Sequence, residues 1–539
     1  MAGGTAVLER PAKVAEGAPA TKEEVVQAPA EAAPAAKYLA ESLTILVIGA
    51  SGDLAKKLTA PALYQLFTRD YLPKQMTIVG YARSEKSDEE LRKAWRPVLL
   101  EAHEGEEETI DAFLSKVVYR RGQYDSAEDV AAVFKEQEEN EQADGQQVAN
   151  RLFYFAVPPS VFADIGAAIK EGALSQTGWN RLVVEKPFGK DTESFEELSK
   201  TINGLFTPEQ TYFVDHYLGK EMNQNLLVLR FANSMFEPLW NRNYIDSVVI
   251  TFKEDIGTEG RGGYFDSFGI VRDVMQNHLT QMLALIAMDA PVRASGENFG
   301  NYVRDEKVKV LHAIKPISID DCVLGQYTAP DDGSMAGYTE DDTVPDDSVT
   351  PTYAALVMHV NNPRWAGVPF VMKAGKALDQ KKVEVRIKFK TPVAAECMFP
   401  DVRVPTNELV LRVQPNEAVY MKTNVKMPGL AGVPVATELD LSYRTRFDDK
   451  MADSPSAYTR LILDCLRGKQ ASFVRDDELR AAWKIFTPLL HDIDAGKKQP
   501  TKYKAFSRGP AEGDEFVSQF YKRDPTYEWH PPAKGDAKM

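Results

Sequence analysis

Cysteine is scarce in this chain, with three residues in 539. Cys322, Cys397 and Cys465 lie far apart, so no pair has the spacing of a metal-binding motif. Their odd number argues against a disulfide framework and favours a reducing compartment, and we expect a cytoplasmic protein. The seven histidines are also scattered, with none at ligand spacing from another along the chain, so we expect no metal site.

Long apolar runs and an excess of basic residues are lacking as well. No apolar stretch reaches the ~20 residues that span a bilayer, so we expect no membrane partner. Lysine and arginine number 64 against 79 acidic residues, which gives a formal net charge of −15. Such a surface disfavours nucleic-acid binding, and we expect no nucleic-acid partner, although a locally positive pocket can still hold an anion.

The composition that remains is that of a globular protein, with 44% hydrophobic and 27% charged residues. Residues 1–38 differ, being rich in Ala, Pro, Glu and Lys and lacking the apolar core of a signal peptide. Glu9, Glu16, Glu23 and Glu24 argue against a transit peptide, which would contain few acids. We therefore predict a disordered tail over residues 1–38.

Short apolar runs alternate with helical patterns between residues 39 and 214. The first run, 43–48, ends in a glycine, and others begin near residues 76, 117, 152, 182 and 212. Strand and helix in alternation predict a doubly wound, Rossmann-type α/β domain over 39–214.

After residue 215 the regular alternation of strand and helix patterns ends. Strand-like runs occur at 247–253, 353–360, 383–390 and 409–413, and helical patterns are limited to segments such as 267–289 and 455–467. This pattern predicts an α+β domain over 215–539 with a large, mostly antiparallel sheet. Asp, Gly, Pro and Thr concentrated in 328–350 predict a long surface loop.

A glycine-rich turn joins the first strand to the first helix. It reads Gly49-Ala50-Ser51-Gly52-Asp53-Leu54-Ala55-Lys56. Glycines let the backbone approach a pyrophosphate, and the free N–H groups of a helix start face its charge. A plain tight turn would contain the same two glycines, but the position after an N-terminal buried strand favours a dinucleotide site.

The second strand indicates which dinucleotide binds. Chains that bind NAD usually carry an acidic residue at this strand end, which bonds the ribose 2′-hydroxyl. Here Arg83 follows Gly80-Tyr81-Ala82, and a guanidinium can pair with a 2′-phosphate and stack on adenine. We therefore expect NADP, while a solvated arginine at a strand end remains the alternative.

Two polar segments follow buried strands, where open α/β sheets place their ligands. Lys186 lies in Glu185-Lys186-Pro187-Phe188-Gly189 and is suited to hold a hydroxyl or the cofactor. The second segment is Asp215-His216-Tyr217-Leu218-Gly219-Lys220-Glu221. Its imidazole, phenol and ammonium are suited to grip a phosphate. Each segment could instead be an ordinary loop at a strand end.

A third polar segment, residues 261–281, places His278 on an inward-facing helix stripe. His278 stands three residues after Met275 and four before Met282. An inward histidine is more often a satisfied core residue than a base, but Asp273 makes this helix unusually polar. An imidazole buried beside a carboxylate is a common general-base arrangement, so His278 is our candidate base.

Together, these segments resemble the glucose-6-phosphate dehydrogenase family, in the family's order and spacing, from about residue 44 to residue 529. The resemblance implies oxidation of glucose 6-phosphate at C1 to 6-phosphogluconolactone with hydride transfer to NADP. This reaction is the first oxidative step of the pentose phosphate pathway. Since the family is typically dimeric or tetrameric through its sheet domain, a homodimer or homotetramer is expected.

The resemblance also implies residue roles by motif position. His278 would be the base and Asp215 its partner. The substrate phosphate would contact the segment that contains His216, Tyr217, Leu218, Gly219 and Lys220. Other substrate contacts would be Lys186, Glu254, Asp273, Lys376, Lys381 and Gln414. The glycine turn, Arg83 and Lys186 would bind the catalytic NADP.

A second, structural NADP in the sheet domain is a further implication of the resemblance. Its implied ligands are Lys373, Lys382, Arg386, Arg412, Tyr420, Lys422, Asp440, Arg508 and Trp529. The chain departs from the family pattern at Lys373 and Lys381, where arginine is common, and at Phe162, where some relatives carry tyrosine. Because lysine cannot make the bidentate contact of an arginine, the first two departures put the strength of both anion sites in doubt.

Two other classes of function stay open on the residues alone. Another sugar oxidoreductase with the same two-domain plan would share the glycine turn but not the phosphate group of His216 and Lys220. A catalytically silent nucleotide sensor would be expected to lack the base or a phosphate ligand. His278, Asp215, His216 and Lys220 are all present, which favours the enzyme.

Replacing Arg83 with alanine should raise the KM for NADP far more than the KM for NAD, because only NADP carries the 2′-phosphate. A charge-assisted contact contributes about 1.5–3 kcal/mol, so the change should be about 10- to 200-fold. Steady-state kinetics with both cofactors provide the measurement. Equal losses with the two cofactors would mean that Arg83 serves the fold.

Overall fold

The computed structural model describes residues 37–102, 107–143, 145, 147–293, 299–430, 432–447 and 454–522. These residues form two sheets, one parallel and one mostly antiparallel, which confirms the predicted fold class. Lys37–Ala40 form a short 3-10 helix with Tyr38 buried, so the last two residues of the predicted tail are ordered into the fold. Residues 1–36, which make up the rest of that tail, lie outside the described residues.

The first sheet is parallel throughout, with strand order β3-β2-β1-β4-β5-β6 in the described chain. Its central strands are buried along nearly their whole length, because helices cover both faces, and this is why they appear as continuous apolar runs. The strands are β1 Ser42–Ile48, β2 Met76–Ala82, β3 Val117–Arg121, β4 Ala149–Phe155, β5 Asn180–Val184 and β6 Thr211–Phe213.

The strand order of this sheet reverses between β1 and β4. Open α/β sheets bind their ligands in the crevice at the carboxyl ends of the strands on either side of such a reversal. The helices that connect these strands are α1 Ala60–Thr68, α2 Asp88–Ala102, α3 Glu107–Ser115, α4 Ala127–Ala143, α5 Phe162–Gly172 and α6 Thr192–Leu205. A π-helical turn, Ala55–Thr59, precedes α1 directly after the glycine-rich turn.

The second sheet has the strand order β14-β13-β12-β11-β7-β10-β9-β8-β15. Only β7 with β10 and β8 with β15 pair in parallel among its described strands. The strands are β7 Ile245–Lys253, β8 Cys322–Thr328, β9 Tyr353–His359, β10 Pro369–Gly375, β11 Lys382–Phe389, β12 Glu408–Gln414, β13 Ala418–Lys426, β14 Pro434–Ser442 and β15 Thr501–Lys504. The predicted loop lies between β8 and β9.

The prediction of few helices after residue 215 is wrong. The helices are α7 Glu221–Phe231, α8 Gly262–Asp266, α9 Thr280–Ala287, α10 Phe299–His312, α11 Val393–Met398, α12 Tyr443–Arg446, α13 Ala457–Leu466, α14 Asp476–Asp494 and α15 Ala511–Phe520. A π-helical segment, Val271–Leu279, leads into α9. The pattern of α14 was overlooked, although Leu479, Trp483, Phe486 and Leu490 recur at helical spacing and are all buried.

The C-terminal part of the chain returns to the first sheet. Arg181, in β5, donates from Nη1 to the backbone O of Cys465 at 2.8 Å, and Thr459 Oγ1 donates to Gln65 Oε1 at 2.5 Å. These contacts fasten α13 across α1 and next to the end of β6. Among the described residues, no helix is both long and apolar enough to cross a membrane.

Candidate active site

The glycine-rich turn lies where the strand order reverses. Gly49 has a φ of +81°, and a Cβ added there would lie 2.5 Å from the backbone O of Ala156, which follows β4. Only glycine therefore fits where the turn meets β4. Ser51, Gly52 and Asp53 are exposed, and the backbone N of Gly52 donates to the backbone O of Gly49 at 2.9 Å, which closes the turn.

Arg83 follows β2 directly, next to this turn. The backbone N of Gly49 donates to the backbone O of Tyr81 at 2.8 Å, which places the two strand ends side by side. The guanidinium carbon of Arg83 lies 5.1 Å from the centre of the Tyr124 ring, and the side chain is exposed. A cation therefore stands beside the crevice, where a 2′-phosphate would need it.

His278 and Asp215 form a buried hydrogen-bonded pair. The distance between His278 Nδ1 and Asp215 Oδ1 is 2.6 Å, and the side chains are 4% and 3% exposed. Asp215 Oδ1 also accepts the backbone N–H of Tyr217 at 2.9 Å. Asp215 follows β6, whereas His278 lies in the π-helical segment, so the pair joins the parallel sheet to the helical layer of the second domain.

The surroundings of this pair set the charge of each group. Burial opposes ionisation of Asp215, but the adjacent His278 and two hydrogen bonds lower the pKa of its carboxyl to about 2. Burial lowers the pKa of His278, and the attraction of Asp215 offsets this only in part. Near pH 7 the imidazole is neutral, Nδ1 donates to the carboxylate, and Nε2 keeps a lone pair that can accept a proton.

Lys186 meets this lone pair. Its Nζ lies 3.3 Å from His278 Nε2, and 3.1 Å from both the Oδ1 and the backbone O of Asp273. Burial lowers the pKa of Lys186, but the attraction of Asp273 outweighs it and the net pKa is raised. The three N–H donors of this ammonium are therefore matched by three neighbouring acceptor atoms. The peptide bond between Lys186 and Pro187 is cis.

Two aromatic residues of the second polar segment pack around the imidazole of His278. Tyr217 stacks on it with ring centres 4.5 Å apart and an angle of 25°, and His216 meets it edge-on at 4.5 Å. Burial and the neighbouring imidazole keep the pKa of His216 well below its usual value, so this ring is neutral. It can act as a hydrogen-bond donor or acceptor without adding charge.

Further predicted substrate residues occur as pairs around this centre. Lys220 Nζ donates to Gln414 Oε1 at 2.7 Å, and Lys376 Nζ lies 2.5 Å from Glu254 Oε2. Burial opposes ionisation of Asp273, but the charges of Lys186 and, after it, Lys376 lower the pKa of this carboxyl. Lys381 is exposed at the start of β11, where its charge contributes to the lowered pKa of Lys220, although burial is the main cause.

Leu218 and Gly219, the remaining residues of the predicted phosphate segment, pack against the fold. The Leu218 side chain is 4% exposed and belongs to the hydrophobic core, so only its backbone is available to a ligand. A Cβ on Gly219 would lie 2.5 Å from the backbone O of Ala457. Gly219 therefore allows α13 to approach the phosphate segment.

Sequence reasoning missed several residues that α13 brings to the site. Tyr458 stacks over His216 with ring centres 5.9 Å apart at an angle of 10°, and Arg460 Nη1 donates to the backbone O of Gly219 at 3.0 Å. The helix itself was predicted, but the sequence carries no signal for where it docks.

A buried carboxyl behind the pair was also missed. Tyr154 donates its hydroxyl to Glu185 Oε1 at 2.5 Å, and burial raises the pKa of Glu185 to about 7. Its position in the motif before Lys186 was visible in the sequence, but nothing there indicated burial or the partner from β4.

The residues proposed to hold a second nucleotide meet around three carboxylates, two of them in the second sheet and one in α15. Glu384 contacts Lys382, Arg386 and Arg412, Glu408 contacts Arg386 and Lys422, and Asp514 contacts Lys373 and Arg508. Tyr420 accepts from Arg386 at 3.2 Å and stands opposite Asp440 in the register of β13 and β14. Trp529 lies outside the described residues.

One arrangement of possible metal ligands coincides with the active site. Asp215, His216 and His278 each offer one ligand atom within 4.8 Å of the others. Spacing along the sequence did not reveal this group, because its members come from two elements. The ammonium of Lys186, 3.3 Å from His278 Nε2, opposes the binding of a divalent cation there.

Comparison with known proteins agrees with this architecture. The model of the glucose-6-phosphate dehydrogenase NAD binding domain matches residues 46–225, and that of the C-terminal domain matches residues 227–530. A glucose-6-phosphate 1-dehydrogenase of Arabidopsis thaliana, described as cytoplasmic, is 50% identical over 502 residues and covers 91% of this chain and 94% of the relative. A chloroplastic relative from Spinacia oleracea is 47% identical over 477 residues, which are 87% of this chain and 81% of the relative.

A solved structure shows the same fold. It is a glucose-6-phosphate dehydrogenase in complex with its substrate glucose 6-phosphate, with a TM-score of 0.84 and 46% identity. The match covers 90% of this chain and 99% of that one. The resemblance drawn from the motifs is thereby confirmed, and the chain belongs to the glucose-6-phosphate dehydrogenase family.

Proposed function

We propose that this chain oxidises D-glucose 6-phosphate at C1 to 6-phospho-D-glucono-1,5-lactone, with NADP+ as hydride acceptor. The observation that carries the proposal is the buried pair of a neutral His278 and an ionised Asp215, with Nε2 of His278 in contact with Lys186, one of the predicted substrate residues. Membership of the family and a relative solved with glucose 6-phosphate support the substrate. The reaction would open the oxidative part of the pentose phosphate pathway.

In this mechanism His278 removes the proton of the C1 hydroxyl through Nε2. Asp215 stabilises the imidazolium that forms, because its negative charge lies 2.6 Å from Nδ1. NADP+, held by the glycine-rich turn and Arg83, would supply the hydride acceptor for C1. The substrate hydroxyl must displace the contact between Lys186 and Nε2, which leaves this ammonium beside the substrate oxygen, with Asp273 as its remaining partner.

Lys220 and His216 would bind the substrate phosphate. Lys220 is half-buried, which strengthens its attraction for an anion because little water screens it. Its present acceptor, Gln414, is neutral and easily exchanged for a phosphate oxygen. Lys376, Glu254 and Asp273 would contact the sugar hydroxyls as paired donors and acceptors.

The residues of the first sheet fit a catalytic NADP. Gly49 allows the turn to pass close to Ala156 at the strand reversal, and the exposed Ser51 and Asp53 would offer backbone N–H groups to a pyrophosphate. Arg83 would bind the 2′-phosphate, and Lys186 would lie between cofactor and substrate.

A second, structural NADP would bind among the cations of the second sheet. Their clustering around Glu384, Glu408 and Asp514 supports this, since a polyphosphate could share the same guanidinium and ammonium groups. Lys373, which stands where the family commonly has arginine, already pairs with Asp514 at 2.8 Å. It would therefore contribute a single contact to the nucleotide.

Assembly and location are also proposals. A homodimer or homotetramer follows from the family, and a cytoplasmic location follows from the reducing-compartment argument and from the cytoplasmic relative. We place the boundary between the nucleotide-binding and substrate domains at residues 214 and 215.

His278→Asn should lower kcat by about 10²- to 10⁴-fold while substrate and NADP still bind, because a general base acts only in the transition state. Asp215→Asn should also lower kcat, and the two substitutions together should cost less than the product of the single effects. The measurements are kcat, ligand binding and melting temperature on the same preparations. A folded, ligand-binding His278→Asn enzyme with near-normal kcat would refute the mechanism.

Lys220→Ala should reduce the preference for glucose 6-phosphate over glucose by about 10- to 200-fold, because a charge-assisted contact of about 1.5–3 kcal/mol is lost. The ratio of kcat/KM for the two sugars is the measurement. Lys57→Ala is a matched control, since this exposed lysine pairs only with Asp53 in the described contacts. An unchanged preference in Lys220→Ala would show that the phosphate binds elsewhere.

NADP should raise the melting temperature of a variant whose catalytic nucleotide site is blocked by Gly52→Val. A ligand that binds only the native state stabilises it by mass action, so the second site alone should produce the shift. Adding Arg386→Met should abolish the shift. Absence of any shift in the Gly52→Val variant, up to millimolar NADP, would exclude the second site.

A further inference from the structure

The loop formed by residues 186–190 connects β5 to α6 and carries Lys186 to the imidazole of His278. Two adjacent residues of the π-helical segment hold its two ends. Asp273 accepts from Lys186 Nζ with both its Oδ1 and its backbone O at 3.1 Å. Arg272 donates from Nε to the backbone O of Lys190 at 2.8 Å.

Arg272 is in turn fixed by the last residue of α14. Its side chain is 7% exposed, and Nη1 and Nη2 donate to the two carboxylate oxygens of Asp494 at 3.1 and 2.6 Å. A bidentate pair holds the planar guanidinium in one orientation, and this orientation directs the Nε–H toward Lys190.

The middle of the loop has little freedom either. Trp483, in α14, donates from Nε1 to the backbone O of Phe188 at 2.8 Å, and the buried Phe188 ring packs edge-on against Phe213. The hydrogen bond from Trp483 and this ring contact therefore restrain the middle of the loop.

We propose that Arg272 is a positioning residue that keeps the ammonium of Lys186 against His278 Nε2. The proposal rests on the proposed function. The consequence for catalysis is electrostatic: burial is the main cause of the lowered pKa of His278, and the nearby charge of Lys186 lowers it further. If the loop moves away, the pKa of His278 should rise. As the pH falls, His278 should then become protonated, and stop acting as a base, at a higher pH than in the wild type.

The other charged and titratable groups around His278 would stay in place when Lys186 moves. Asp215 faces it from the end of β6, His216 from the following turn, and Asp273 from its own helical segment. Tyr264, in α8, faces Lys186. A shift in the titration of His278 would therefore report the position of Lys186.

The test is the pH dependence of kcat/KM for glucose 6-phosphate in Arg272→Met, Lys186→Met and the double variant. Each single variant should move the acid limb to higher pH and lower kcat/KM by on the order of 10-fold or more. The double variant should match Lys186→Met alone, because Arg272 acts through Lys186. Arg480→Met is the matched control: it removes another bidentate pair of α14, with Glu196, and should leave the acid limb unchanged.

Asp494→Asn provides a second variant if Arg272→Met does not fold, since Asp494 is half-exposed and its loss releases the same guanidinium. It should shift the acid limb in the same direction by a smaller amount. A folded variant of Arg272 or Asp494 with the wild-type acid limb would overturn the proposal, as would effects that multiply in the double variant. A wild-type chain inactive on glucose 6-phosphate would refute the proposed function instead.

Discussion

The hydrogen bond between Asp215 and His278 depends on burial. The rest of the site offsets the free-energy cost of burying these two polar groups. A carboxylate removed from water is costly unless its oxygens are satisfied, and here the imidazole N–H and a backbone N–H do so. The same exclusion of water keeps the imidazole neutral and its second nitrogen available. Aromatic rings on two sides and the ammonium of Lys186 on a third complete the enclosure.

This bond also spans the two halves of the molecule. Asp215 is placed by the carboxyl end of a parallel strand, and His278 by a helix of the second domain, so their 2.6 Å separation requires the two domains to keep a fixed relation. The C-terminal helices supply that relation. α13 crosses the phosphate segment through Arg460, and α14 holds the loop after β5 through Trp483 and the Arg272–Asp494 pair.

Much of this was accessible from the sequence because it follows local rules. Alternating apolar runs predicted the parallel sheet, and the polar segments at strand ends predicted a ligand site that includes Lys186 and Asp215 at the carboxyl edge of that sheet. Helical spacing placed His278 inward. What the sequence could not provide were partners distant in the chain: Asp494 for Arg272, Tyr458 for His216 and Tyr154 for Glu185. Such pairings depend on how helices dock, which no local pattern encodes.

The close approach of α13 to Gly219 has a consequence for how the chain is made. Gly219 has no room for a Cβ because the backbone of Ala457 lies against it, and Arg460 reaches it from 241 residues further along the chain. A ribosome adding about 5–20 residues per second therefore needs on the order of 10 to 50 seconds to deliver that helix after the phosphate segment has emerged. During this interval the parallel sheet can form, but its substrate-facing edge stays uncovered on the side that α13 later occupies.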